Sequence, residues 1–140
     1  ILLGPGSLYT SIIPNLLVDG VAEAIAQSPA LKILVMNIMT QDGESDGYTG
    51  ADHVRALLHH GAPGIIDVCI ANNAVIGEAI LAPYRQEGVE QLRLEREEME
   101  AMGIQVEEYP MATGEPYTPH DPYALASAIM EVYRRSRLTR

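Results

Sequence analysis

The stretch Gly4-Pro5-Gly6-Ser7-Leu8-Tyr9-Thr10-Ser11 has the residue types of a ligand loop, and it follows the apolar run Ile1-Leu2-Leu3 as a turn follows a buried strand. Gly4 and Gly6 allow positive φ and close approach of backbone to a ligand, Ser7 is placed to cap a following helix, and Ser7, Thr10 and Ser11 add hydroxyl donors. Such a loop suits an anion, most often a phosphate. It suits equally an ordinary strand-to-helix turn that needs glycine for tightness. Neither the Walker pattern nor GxGxxG is present.

Further polar residues recur where apolar runs stop. Asn37 closes one run and Asn72-Asn73 another, and their mixed donors and acceptors suit a base, a sugar or a carboxamide, or else the turn's own backbone. Between them, residues 40–50 are rich in turn formers and in groups that bind ligands, beginning with Thr40 and Gln41. Glu44 and Asp46 lie on this loop, where they would hold a hard cation, serve as a general base or simply be solvated. Of the four histidines, His53 has the best claim to chemistry because it begins the helix after the loop, whereas His59, His60 and His120 read as surface or cap residues. No HExxH, cysteine–histidine pairing or GxSxG is present, so neither a zinc site nor a nucleophilic triad is supported.

The elements that must position these residues follow from periodicity. Residues 8–17 read as helix with a break or kink expected at Pro14, and Asp19 offers an N-cap for an apolar stripe of Val21, Ala22, Ile25 and Ala26 that ends at Ser28-Pro29. Residues 33–38 and 65–71 are near-continuous apolar runs, as expected of strands covered on both faces in a parallel sheet. Thr49 and Asp52 form a capping box with Asp in place of Glu, opening a helix that buries Val54, Leu57 and Leu58. Helices are expected over 77–86 and 95–102, the second closed by Gly103 in a left-handed cap, with a short strand over 89–94 and an edge strand over 104–109. Residues 111–119 read as loop, and Asp121-Pro122 begins a final helix with Leu125, Ile129, Val132 and Tyr133 on one face. Strands alternating with helices imply an α/β fold, a Rossmann-like three-layer sandwich with a mostly parallel sheet. In such sheets ligands bind beyond the carboxyl ends of the strands, in a crevice at a switch in strand order, where the three polar clusters would converge.

At 140 residues the chain is the size of a single domain. With no Phe or Trp, and Tyr as its only aromatic residue, the core must be aliphatic. A net charge of -10 argues against nucleic acid, which demands a concentrated basic face. The late arginines, Arg134, Arg135, Arg137 and Arg140 among them, read as a solvated helix end. Cys69, the single cysteine, lies in an apolar run, so no internal disulfide forms and a buried, inert thiol is expected. No apolar segment reaches the length of a membrane span and no signal peptide is evident, so a cytoplasmic location is expected.

Three stretches together closely resemble the YvcK-type gluconeogenesis factor family. They are Gly4-Pro5-Gly6-Ser7-Leu8-Tyr9-Thr10-Ser11-Ile12-Ile13-Pro14-Asn15-Leu16-Leu17; Asn37-Ile38-Met39-Thr40-Gln41 with Gly43-Glu44, Asp46-Gly47-Tyr48 and Asp52-His53; and Ala71-Asn72-Asn73. That family lies within the larger group similar to 2-phospho-L-lactate transferase, CofD. The resemblance implies a Rossmann-like domain that binds a nucleotide-linked ligand, UDP-N-acetylglucosamine for YvcK-type members, with links to carbon metabolism and to control of cell shape and wall synthesis. It implies ligand contact by Gly4, Pro5, Gly6, Ser7, Tyr9, Thr10, Ser11, Asn37, Thr40, Gln41, Asn72 and Asn73. Partners are then a nucleotide sugar or another phosphorylated small molecule and a second copy in a homo-oligomer, with no nucleic acid. The transferase relatives imply an alternative: a magnesium-dependent phosphoryl-group transferase in which Glu44 or Asp46 helps hold the metal and His53 assists proton transfer. Full-length members begin with a strand and a Gly-Gly-Gly-Thr-Gly loop. This chain opens at Ile1 without either, and is expected to be the C-terminal part of a larger CofD-like domain.

Overall fold

A computed structural model describes residues 1–114 and 120–138. Four strands, β1 (Leu2–Leu3), β2 (Ile33–Val35), β3 (Val68–Asn72) and β4 (Gln105–Tyr109), form one sheet in the order β1-β2-β3-β4, every pair parallel. Side chains of β2 and β3 are sorted by the period of two. Ile33, Val68 and Ile70 face a cluster with Ala128 and Val132, while Leu34, Met36, Cys69 and Ala71 face a larger one with Leu8, Leu16, Val54, Leu57 and Met99. Both strands are therefore covered on both sides, and the expected α/β sandwich is present.

The larger cluster is roofed by a π-helical turn (Leu8–Ile12), α1 (Ile13–Leu16), α3 (Gly50–His60) and α5 (Arg96–Ala101), with α2 (Val21–Gln27) beside α1. The opposite face is covered by α6 (Pro122–Leu138), and α4 (Glu78–Gln86) builds a small cluster from Ile38, Ile76 and Leu81. Helices thus lie on both faces. The expected switch in strand order is absent among the described strands, so the strand ends form one continuous rim.

Several local expectations need correction. The break at Pro14 is absent because the preceding turn widens: Ile12 N donates to Ser7 O five residues back, and Pro14 then falls in the first turn of α1, where no donor is required. Asp19 does not cap α2, since Gly20 takes that position at φ 80° without a side-chain bond. β2 and β3 are shorter than their apolar runs: Met36 and Ile38 stay buried after the β2 ladder stops, and Ile65 and Ile66 before the β3 ladder begins. Residues 89–94 form no strand. A lone antiparallel bridge joins Gln91 to Met39, and the segment then uses Arg93 O and Leu94 O to accept the Gly50 and Ala51 amides at the start of α3. Gly50 is required there, because a Cβ would lie 2.8 Å from Leu94 O. The expected loop over 111–119 lies partly outside the described residues.

β4 is an edge strand with Glu107 and Glu108 paired to Arg135 and Arg96, partly exposed pairs worth about 0–1 kcal/mol each that also discourage edge-to-edge pairing. Burial pushes the Cys69 thiol up to about 12, which makes it inert. No single helix among the described residues is long and apolar enough to cross a membrane. The bent pair Leu8–Leu16 and Val21–Gln27 passes on length and composition alone, and it sends Leu8, Ile13 and Leu16 into the core.

The capping box is complete: the Asp52 amide donates to Thr49 Oγ1 at 3.2 Å and the Thr49 amide to Asp52 Oδ2 at 2.9 Å. That backbone bond from Thr49 holds the Asp52 carboxyl below its ordinary 3.8, so its contribution to stability is present above that value and disappears as pH falls through the folded pKa. Thr49→Ala is expected to cost about 1–2 kcal/mol in urea unfolding at pH 7. The loss should be smaller once pH falls through the folded pKa of Asp52, where the partner carboxylate is protonated.

Candidate functional site

The four strands deliver their carboxyl ends to one rim, and side chains lace it together. At β1, Gly4 has φ 73° and approaches β2 so closely that a Cβ would meet Val35 O at 3.0 Å. The next turn is clamped to the end of β2 by Asn37, which accepts from Gly6 N at 3.2 Å and donates through Nδ2 to Gly6 O at 2.8 Å. Ser7 caps the π-helical turn by accepting from Thr10 N at 3.3 Å. The Ser7 hydroxyl donates in turn to Glu44 Oε1, and Leu8 N donates to Glu44 Oε2 at 3.1 Å. Since that hydroxyl has a single hydrogen and the carboxylate takes it, the Thr10 hydroxyl must be the donor in its contact with Ser7 Oγ.

The loop carrying Glu44 is pinned from within. The Gln41 amide donates to the buried Ser45 hydroxyl at 2.9 Å, Ser45 N returns to Gln41 O, and the Gly43 amide donates to Asp46 Oδ2 at 3.0 Å. At its far end Tyr48 meets Tyr9 hydroxyl to hydroxyl at 2.9 Å, a bond that pushes the Tyr9 phenol above its ordinary pKa. The ring of His53 stands edge-on to Tyr48 and is 3% exposed. Its Nδ1 lies 2.9 Å from Thr49 O; a carbonyl only accepts, so Nδ1 carries the proton, and the buried Nε2 has no hydrogen-bond partner among the described residues. Desolvation lowers the His53 pKa, keeping the ring neutral near pH 7.

At the end of β3, Asn72 Oδ1 accepts from the backbone amides of Ala74, Met111 and Ala112 at 3.2, 2.8 and 2.9 Å, which ties β3 to the segment leaving β4. His120 lies on the same rim, bridged to Ala112 and donating through Nε2 to Met36 O at 3.1 Å. It is half-buried, and desolvation lowers its pKa as well. A groove of about 330 Å³ opens outside the first loop, lined by Gly4, Pro5, Gly6, Ser11 and Asn15. A larger cavity, about 580 Å³, lies at the amino ends of the strands between β1 and α6. Its apolar walls, from Ile1 and Leu2 to Met130, carry none of the rim's polar groups.

Residues 1–112 match the family described as 2-phospho-L-lactate transferase CofD. The chain belongs to the CofD family. Within this family it is similar to the gluconeogenesis factors of Halalkalibacterium halodurans, 39% identical over 94% of this chain and 41% of that protein, and of Bacillus subtilis, 39% identical over 96% and 43%. A crystal structure of a UPF0052 family member from Bacillus halodurans superposes with a TM-score of 0.89 at 38% identity, over 93% of this chain and 42% of that one. The chain therefore spans about two fifths of the length of these relatives.

In this CofD-family chain the sequence-predicted site residues separate by task. Asn37, Thr40 and Asn72 hold backbone, Thr40 being buried with its amide on Glu90 O and its hydroxyl oxygen accepting from Glu90 N. Ser11, Gln41 and Asn73 are exposed, and their side chains make no hydrogen bond with the described residues. Glu44 and Asp46 do not converge: one reaches across to Ser7 and Leu8, the other closes its own turn. Among the described residues no three acidic, histidine or cysteine side chains come together. Sequence reasoning missed Ser45 and His120. Nothing local distinguishes Ser45 from a solvated turn serine, and only its 2% exposure shows its task.

Two measurements bear on this geometry. Asn72→Ala removes one acceptor from three amides and is expected to cost about 2–3 kcal/mol in urea unfolding, against less than about 0.5 kcal/mol for Asn73→Ala. For His53 the folded pKa lies below the ordinary 6.5, so the folded state binds fewer protons than the unfolded one. Its contribution is complete above 6.5 and lost as pH falls through the folded value. His53→Gln should therefore show a smaller loss of stability between pH 7.5 and pH 5 than the wild-type chain, read from urea midpoints.

Proposed function

We infer that this chain forms the ligand rim of a cytoplasmic regulatory protein that recognises a nucleotide sugar of the UDP-N-acetylglucosamine type. The reading connects it to carbon metabolism and to control of cell shape, within a homo-oligomer. The observation that carries the reading is the lacing of segments 4–11, 37–46 and 72–73, far apart in sequence, into one rim at the strand ends by Asn37, Glu44 and Asn72. The curated relatives named gluconeogenesis factor support the metabolic link. In this reading Gly4, Pro5, Gly6, Ser7, Thr10 and Ser11 receive phosphate, and Gln41 and Asn73 read sugar or base. Tyr9, Asn37, Thr40 and Asn72 keep the rim in shape.

The family's description as a transferase favours a second reading, magnesium-dependent group transfer with Glu44, Asp46 or His53 in the reaction. His53 would then have to act from a buried position, and the two carboxylates serve separate turns. Calorimetric titration of the full-length protein with UDP-N-acetylglucosamine, with and without magnesium and with the sugar nucleotide assayed for turnover, separates the two. Saturable binding without turnover is expected. Ser11→Ala and Asn73→Ala, which leave folding bonds intact, should each weaken it roughly threefold to tenfold. Turnover that needs magnesium and disappears in Glu44→Ala would install the transferase, and absence of binding would remove the nucleotide sugar.

A further inference from the structure

Two donors of the first loop, the Ser7 hydroxyl and the Leu8 amide, are already occupied. Glu44 Oε1 takes the Ser7 hydroxyl and Glu44 Oε2 the Leu8 amide. We propose that Glu44 is a carboxylate latch: it holds these donors in the free protein, and an anionic group of the ligand reaches them by displacing it. This inference rests on the phosphate-loop reading above and adds to it the step by which the site opens.

Three features favour a latch over a fixed strut. The turn that begins at Leu8 is already capped by Ser7, whose Oγ accepts from Thr10 N, so Glu44 is not needed to terminate it. Glu44 is only half-buried, so its side chain can turn toward solvent, and its bonds to Ser7 and Leu8 join two loops far apart in sequence. Its neighbours are firmly held: Ser45 is buried against the Gln41 amide, Tyr48 N donates to Ser45 O, and the Tyr48 hydroxyl meets Tyr9. Release is therefore a side-chain rotation on a fixed loop. Two anions would repel each other at one pair of donors, so ligand and latch exclude one another. Apparent affinity is then reduced by the fraction of molecules in which the latch is closed. Once released, the Glu44 carboxylate stands at the rim beside the bound anion, where it disfavours a second negative group.

The test follows the Leu8 amide by NMR in the full-length protein during titration with inorganic phosphate. Four proteins are compared: wild type, Glu44→Asp, Glu44→Gln and Asp42→Asn. Aspartate keeps the charge but is one methylene too short to span both donors, whereas Asp42→Asn removes a charge from the same loop without touching them. A latch closed nine-tenths of the time predicts about tenfold tighter phosphate response in both Glu44 variants, with Asp42→Asn within about twofold of wild type. Equal or weaker response in the Glu44 variants overturns the latch. So does equal tightening by Asp42→Asn, which would reduce the effect to net charge, and so does a Leu8 amide that ignores phosphate in every protein. The same samples are then titrated with UDP-N-acetylglucosamine. A Leu8 amide that answers phosphate and not the sugar nucleotide keeps the latch and removes the ligand assignment instead.

Discussion

β2 and β3 are buried on both faces, and this one constraint organises the chain. Ile33, Leu34, Val35, Cys69, Ile70 and Ala71 are each at most 3% exposed, so their ladder hydrogen bonds run with no competition from water. Covering one face takes the helices between strands; covering the other takes α6, the last element, which returns across Ile33, Val68 and Ile70. Parallel pairing then forces every crossover to come back to the same end. The four carboxyl termini are left side by side, and polar side chains gather there because the core cannot hold them.

The rim's own backbone needs partners once the ladder stops. Met36 O, Gly6 N, Gly6 O and the amides of Met111 and Ala112 fall just past the last strand pairs, and each is met by a side chain: His120, Asn37 at both Gly6 atoms, and Asn72. An amide side chain suits this work because it presents donor and acceptor at peptide spacing, and so extends the sheet's pairing by one more step without adding a strand. The same logic explains residues 89–94. Having left the ladder, residues 38–40 meet an extended segment that satisfies Thr40 and the first turn of α3, and the pairing stops at a single bridge.

What was legible in the sequence is what local pattern controls. Apolar runs marked β2 and β3, Thr49 and Asp52 marked the start of α3, and Gly4 marked a close approach, which the structure makes to β2. Failures fall where a distant partner decides. Asp19 lost the cap to Gly20, whose left-handed conformation leads directly into Val21. Residues 89–94 bury Leu92, but the strand they needed as a neighbour had already left the sheet. Asn37 and Asn72 stood out as polar residues where apolar runs stop, and the structure puts both to holding backbone. Their backbone partners, 31 and 39–40 positions away, leave no trace in neighbouring sequence. Glu44 belongs to the same class, since nothing between residues 40 and 50 points to Ser7.

These long-range bonds change what recognition at the rim consists of. An asparagine that clamps backbone has spent most of its hydrogen-bonding capacity, so in the proposed reading selectivity passes to groups without a side-chain partner among the described residues: the Ser11 hydroxyl beside the first-loop groove, Gln41 and Asn73. The chain's net charge of -10 acts in the same direction. An acidic protein attracts anions poorly at long range, so an anionic ligand has to be recognised by short contacts with amides and hydroxyls, which act over a few ångströms and are insensitive to net charge. A carboxylate holding those donors until they are needed fits the same economy. It satisfies the Ser7 hydroxyl and the Leu8 amide in the ligand's absence.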